Sequence, residues 1–114
     1  MIEVFYWKSS KTLGIMNEGL IVYNYENKET EFIYKGAKFR VVLFGEIERD
    51  FSVHFDICFD RDRNAYGFVL KYQDNDCSRC KVEFKSFIRK GEKIKFNNVI
   101  IELVDIHGKV KECV

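Results

Sequence analysis

The pair Cys77-Ser78-Arg79-Cys80 is the sharpest chemical signal in the chain. Two thiolates two residues apart in a turn can grip one metal ion from the same side, and a tetrahedral zinc site would take them as half of its ligands. The other half would have to come from Cys58, Cys113, His54 or His107, none of which forms a second close-spaced pair. Zinc held through Cys77 and Cys80 therefore stands as an alternative behind a plain pair of reduced thiols in a hairpin loop. A thioredoxin-like role needs the first cysteine at a helix N-terminus, which lowers its pKa. The flanking residues read as strand.

The remaining constellations are weaker. Asp60-Arg61-Asp62-Arg63-Asn64 imitates the opening of a calcium loop, but Ala65 and Lys71 stand where that loop wants glycine and glutamate. It reads as a solvated turn. His54 and Cys58 share the polar face of one strand, roughly 13 Å apart, too far for a nucleophile and its base to bond directly. The serine-hydrolase, phosphate-loop, zinc-protease and dinucleotide motifs are all missing. The sequence thus predicts no catalytic residue.

Binding residues are easier to find. Phe5-Tyr6-Trp7, followed by Tyr23 and Tyr25, concentrates rings on segments that read as strand. A strand buries only alternate side chains, so some of these rings must point outward. Exposed Trp and Tyr are common anchors of protein interfaces. Trp7, Tyr23 and Tyr25 are the candidate partner-binding set. Charge is also uneven: residues 46–62 are mostly acidic and residues 79–95 mostly basic. Lys81, Lys85, Phe87, Arg89 and Lys93 form a second candidate set, in which an exposed Phe87 among cations would stack on a base. Lysines that merely keep an edge strand from pairing give the same pattern.

The elements that must position these residues are strands. Alternation is clearest where Phe51, Val53, Phe55, Ile57 and Phe59 face one way and Ser52, His54, Asp56, Cys58 and Asp60 the other. Further strands are predicted over residues 2–7, 20–25, 30–34, 38–47, 65–72, 81–88, 93–96 and 99–106, with turns at Glu26-Asn27-Lys28-Glu29, Lys35-Gly36, Lys90-Gly91 and Asn97-Asn98. The last is suited to a type I′ hairpin. The best place for a helical turn is residues 12–16, weakened by Gly14. Residues 39–44 and 99–104 are apolar on both faces, which predicts central strands covered on both sides. Residues 107–114 read as a short tail or fraying edge. About eight or nine short strands linked mainly by hairpins predict an all-β fold, an antiparallel β-sandwich or flattened barrel.

Composition sets the outer limits. The 114 residues predict one domain spanning 1–114, and 46% apolar with 16% aromatic residues is enough to fill a small core. The N-terminus has no charged-then-apolar leader pattern, and no apolar run is long enough to span a bilayer. These features predict a cytoplasmic protein whose four cysteines are reduced and which does not engage a membrane. A net charge of +1 argues against wholesale binding to nucleic acid. The leading expectation is a small non-catalytic protein that docks a β surface with exposed aromatics onto a partner protein, in the manner of an inhibitor, immunity protein or accessory subunit. A nucleic-acid or nucleotide-binding module using residues 79–95 is the first alternative. A homodimer through an edge strand is also expected, because no proline blocks any edge.

Overall fold

Ten strands form among residues 1–17, 19–24 and 28–114, which the computed structural model describes: β1 (Ile2–Trp7), β2 (Thr12–Asn17), β3 (Leu20–Asn24), β4 (Glu29–Tyr34), β5 (Ala37–Leu43), β6 (Phe51–Asp60), β7 (Ala65–Asp74), β8 (Lys81–Ile88), β9 (Lys93–Phe96) and β10 (Val99–Ile106). They build an antiparallel β-sandwich. One sheet has six strands in the order β3-β2-β1-β6-β7-β8, and the other has four in the order β4-β5-β10-β9. No helix among the described residues is long and apolar enough to cross a membrane.

The alternation along β6 does what the sequence predicts. Phe51, Val53, Phe55 and Ile57 are buried against the second sheet. Phe55 is the hub: its ring lies 5.1 Å from Phe39 of β5, 5.4 Å from Phe68 of β7 and 6.1 Å from Phe32 of β4. Stacked, tilted and edge-on ring pairs at these distances add to the area they bury. β5 and β10 occupy the middle of the four-stranded sheet, as their apolar sequences predict. The full cover expected on their second face is not provided by the described residues. Ala37, Phe39, Val41 and Leu43 are buried inward, while Lys38, Arg40 and Val42 are only half-covered outward. There Arg40 ties Glu31 to Glu102, its Nη1 lying 3.2 Å from the Glu102 carboxylate.

Strand β5 ends at Leu43, short of the residue 47 expected for it, and two further segments differ from the sequence reading. Residues 12–16 form strand β2 and no helical turn. Gly14 is the physical reason, because a Cβ there would sit 2.1 Å from the Phe5 ring that lies across it. A helical window would discard that seat. The second correction is the tail. Residues 107–114 do not fray: they run back along the end of β6, parallel to it, bridging Phe59 to Glu112. The Phe59 N–H donates to the Lys111 carbonyl at 2.9 Å, and the Cys113 N–H donates to the Phe59 carbonyl at 2.9 Å. β1 pairs with β6 only as far as Phe55, so the tail fills the slot that β1 leaves empty. Val110, within the tail, is buried in the core. At the Asn97-Asn98 turn only Asn97 takes a positive φ, 49°, while the Asn98 amide donates to the Phe44 carbonyl at 2.9 Å.

Candidate functional site

Three rings stand together on the outer face of the six-stranded sheet. Phe5 and Trp7 point outward from β1, with centroids 4.7 Å apart, and Tyr23 of β3 closes the group at 5.8 Å from Trp7 and 6.1 Å from Phe5. Register explains the meeting. Phe5 lies opposite Gly14 of β2, and Gly14 lies opposite Tyr23, so a residue without a side chain separates two aromatic rows. Phe5 drops into that space and is buried, while Trp7 and Tyr23 are each 41% exposed above it. The rings are mutually inclined, with interplanar angles of 36°, 42° and 76°, so they form a knob and no flat stacking platform.

The apolar surface continues around the cluster. Met16 and Ile21 pair across β2 and β3 on the same face and are exposed. On the other side of β3, Leu20 is 70% and Val22 50% exposed, because the four-stranded sheet does not reach beneath that strand. Of the predicted binding set, Trp7 and Tyr23 are thus brought together, and Tyr25 lies outside the described residues. Phe5 belongs to the aromatic run read from the sequence but was left out of the binding set, and Met16 and Ile21 were missed. A glycine inside an apolar strand, which marks a close approach, was the one sequence signal that could have pointed to Phe5.

The basic set is not brought together. Lys81, Lys85 and Phe87 point outward from β8, with Lys85 opposite Val69 and Phe87 opposite Gly67. Lys93 points outward from β9 in the other sheet, beside Glu102 at 4.0 Å. The two strands lie one above the other, joined through Phe84 and Phe96 at 5.6 Å, so their lysines face opposite ways. Arg89 is exposed just past β8, its N–H donating to Glu92 at 2.6 Å. The guanidinium of Arg63 lies 4.6 Å over the Phe87 ring, on a face that a base would need. The calcium-like turn also belongs to Arg63. Its N–H reaches Asp60 Oδ1 at 3.1 Å and its Nη1 reaches Oδ2 at 2.9 Å, and these bonds hold the Asp60 carboxyl below its ordinary range.

All four cysteines are paired, where the sequence reading expects thiols. Cys77 joins Cys80, closing a turn in which the Cys80 N–H donates to the Cys77 carbonyl at 3.0 Å, and the thiolates a metal would need are taken up in that bond. Asp74 organises the same loop, accepting from the Asp76 N–H at 2.9 Å and from Arg49 at 3.1 Å. Cys58 joins Cys113 across 55 positions of sequence and fastens the tail to β6. Gly67 of β7 makes room: a Cβ there would lie 3.1 Å from the Cys58 sulfur and 3.2 Å from that of Cys113. His54 faces Glu3 at 3.8 Å and makes no nucleophile–base pair with Cys58. Among the described residues no three His, Cys, Asp or Glu side chains cluster so as to hold a metal ion.

Beside the fastened tail lies an open cavity of about 500 Å³ bordered by Lys35, Asp56, Cys58, Lys109, Lys111 and Cys113. Asp56 accepts from Lys35 Nζ at 2.8 Å and from the Tyr34 hydroxyl at 3.0 Å. Burial pushes the Asp56 carboxyl up, but Lys35, the Ile57 N–H and the Tyr34 hydroxyl together outweigh it and hold the group below its ordinary value. Burial, with the Asp56 charge beside it, raises Tyr34.

The fold and its surface define a two-sheet β-sandwich with an aromatic cluster on the outer face of its six-stranded sheet. No protein-family model, curated protein or solved structure matches the chain.

Proposed function

We propose that the chain is a non-catalytic binding protein that docks a partner protein on the outer face of the six-stranded sheet, with Trp7 and Tyr23 as anchors. The observation that carries this reading is the aromatic cluster seated on Gly14 and bordered by exposed Met16 and Ile21. Apolar surface that is exposed, contiguous and rigidly supported is the usual mark of a protein interface. Trp and Tyr lose few rotamers on docking, so a ring already fixed by its neighbours binds at low entropic cost. The inhibitor, immunity and accessory-subunit types all work in this way, by covering a surface without chemistry of their own.

The paired cysteines support a working place in an oxidising environment, in contrast to the cytoplasmic expectation. Gly67 strengthens that inference, since mid-strand glycine is otherwise unfavourable and here it clears space for two sulfurs. The nucleic-acid alternative is disfavoured by the opposite outlook of Lys81 and Lys85 from Lys93.

Immobilised wild-type protein, the double variant Trp7→Ala/Tyr23→Ala and the double variant Lys81→Glu/Lys85→Glu distinguish the readings when challenged with the same extract. A protein retained by the wild type and the lysine variant but lost from the aromatic variant is the expected result. Retention that ignores the aromatic change, or nucleic acid lost with the lysine change, overturns the proposal. Because Trp7 is the single tryptophan, its emission also reports the docking directly.

A further inference from the structure

Four strands end the two sheets, and three of them carry charge along their length. β8 presents Lys81, Glu83 and Lys85, β4 presents Glu29 and Glu31, and β9 presents Lys93 and Lys95. Charged side chains of this kind, lysine above all, keep a sheet edge from pairing with another chain. β3 has none. Its sequence is Leu20-Ile21-Val22-Tyr23-Asn24, and among the described residues no strand lies beyond it. It overhangs the smaller sheet, so Leu20 and Val22 on its inner side are exposed as well as Ile21 and Tyr23 on its outer side.

We infer that β3 pairs antiparallel with β3 of a second copy of this chain, joining the two six-stranded sheets edge to edge about a twofold axis at Val22. The segment is complementary to itself in that register. Val22 faces Val22 and Ile21 faces Tyr23, so an aliphatic residue meets an aromatic one and no like charges are opposed in these pairs. The twofold axis places Leu20 and Val22 of both copies side by side on the inner surface, where each covers the other's overhang. A net charge of only +1 per chain adds little repulsion between copies. The pairing stands independently of the proposed function. It also sets the Tyr23 rows of both copies next to one another, giving a partner protein one apolar surface where each monomer offers half.

Sedimentation equilibrium and oxidative cross-linking test this together. The wild type is expected to show a concentration-dependent monomer–dimer equilibrium, and Val22→Lys to be monomeric with an unchanged far-ultraviolet dichroism spectrum. All four native cysteines are paired, so an introduced thiol is the sole free one. Val22→Cys is expected to form a covalent dimer on mild oxidation, because the two Cβ atoms lie about 4.5–5.5 Å apart. Leu20→Cys is expected to stay uncoupled, since its own copy lies four positions away, roughly 13 Å along the strand. A wild type that remains monomeric up to about 1 mM overturns the inference. So does a dimer that survives Val22→Lys, or Leu20→Cys coupling as readily as Val22→Cys. Failure of the partner assay above, with the dimer intact, would strike the docking reading alone.

Discussion

Two of the places where the six-stranded sheet departs from full strand pairing are treated in opposite ways by the chain. One is the slot beside the end of β6, where β1 stops short. The other is the outer side of β3. The slot is filled by residues 111–113, held by two backbone hydrogen bonds of 2.9 Å, and fastened by the Cys58–Cys113 disulfide with Gly67 cleared beneath it. Among the described residues the edge strand carries no charged side chain and no disulfide, and Leu20 and Val22 on its inner side are exposed. Exposed strand edges are aggregation hazards that proteins suppress. A chain that seals one opening covalently and charges its other edges, yet leaves β3 apolar, keeps that edge available.

The largest difference expected between the two regions is in stability. Replacing both Cys58 and Cys113 by Ser should lower the unfolding free energy by about 2–4 kcal/mol, read from urea midpoints of the oxidised protein, because the bond closes a long loop. Val22→Lys, on the open edge, should change the stability of the monomer by less than about 0.5 kcal/mol, as exposed sites usually do. Equal effects at both places would erase the contrast between a sealed and an open edge.

The support beneath the aromatic cluster comes next. Gly14→Ala drives a methyl into the Phe5 ring, and displacing the ring should cost about 1–3 kcal/mol and alter near-ultraviolet dichroism. Trp7→Ala removes ring contacts at the surface and should cost about 0.5–1.5 kcal/mol while abolishing partner retention. If Gly14→Ala leaves the spectrum unchanged, the cluster does not rest on that seat.

The smallest effect concerns pH on the sealed side. The folded Asp56 carboxyl is held below its ordinary value, so its pairing with Lys35 stabilises the protein above about pH 4 and that contribution is lost as pH falls through the lower, folded value. Asp56→Asn should therefore reduce stability near neutrality by about 1 kcal/mol or less and flatten the acid side of the stability profile. Urea midpoints at about pH 7 and about pH 3 read both changes. A profile unchanged by the substitution would remove the Asp56 pairing with Lys35 and Tyr34 from the contributions to stability.

Most of the strands were legible because their signal is local. β6, β8, β9 and β10 follow from alternation and turn residues, which depend only on a two-residue period and on the backbone preferences of Gly and Asn. β2 was illegible for the same reason. Gly14 weakens any local pattern, and its purpose becomes visible only once Phe5 lies across it from a neighbouring strand. Trp7 and Tyr23 could be named as anchors from their chemistry, yet nothing in the chain brings residue 7 to residue 23 except the pairing of β1, β2 and β3.

By itself, then, the sequence determined an all-β chain, its core face along β6 and the residue types able to bind. The tertiary structure alone decided which of those residues meet. It split Lys81 and Lys85 from Lys93 by placing them in different sheets, and it joined Cys58 to Cys113 across 55 positions by folding the tail into an empty slot. Periodicity is a property of neighbours along the chain, whereas register, overhang and edge are properties of the assembled sheets, fixed only when the core around Phe55 has closed.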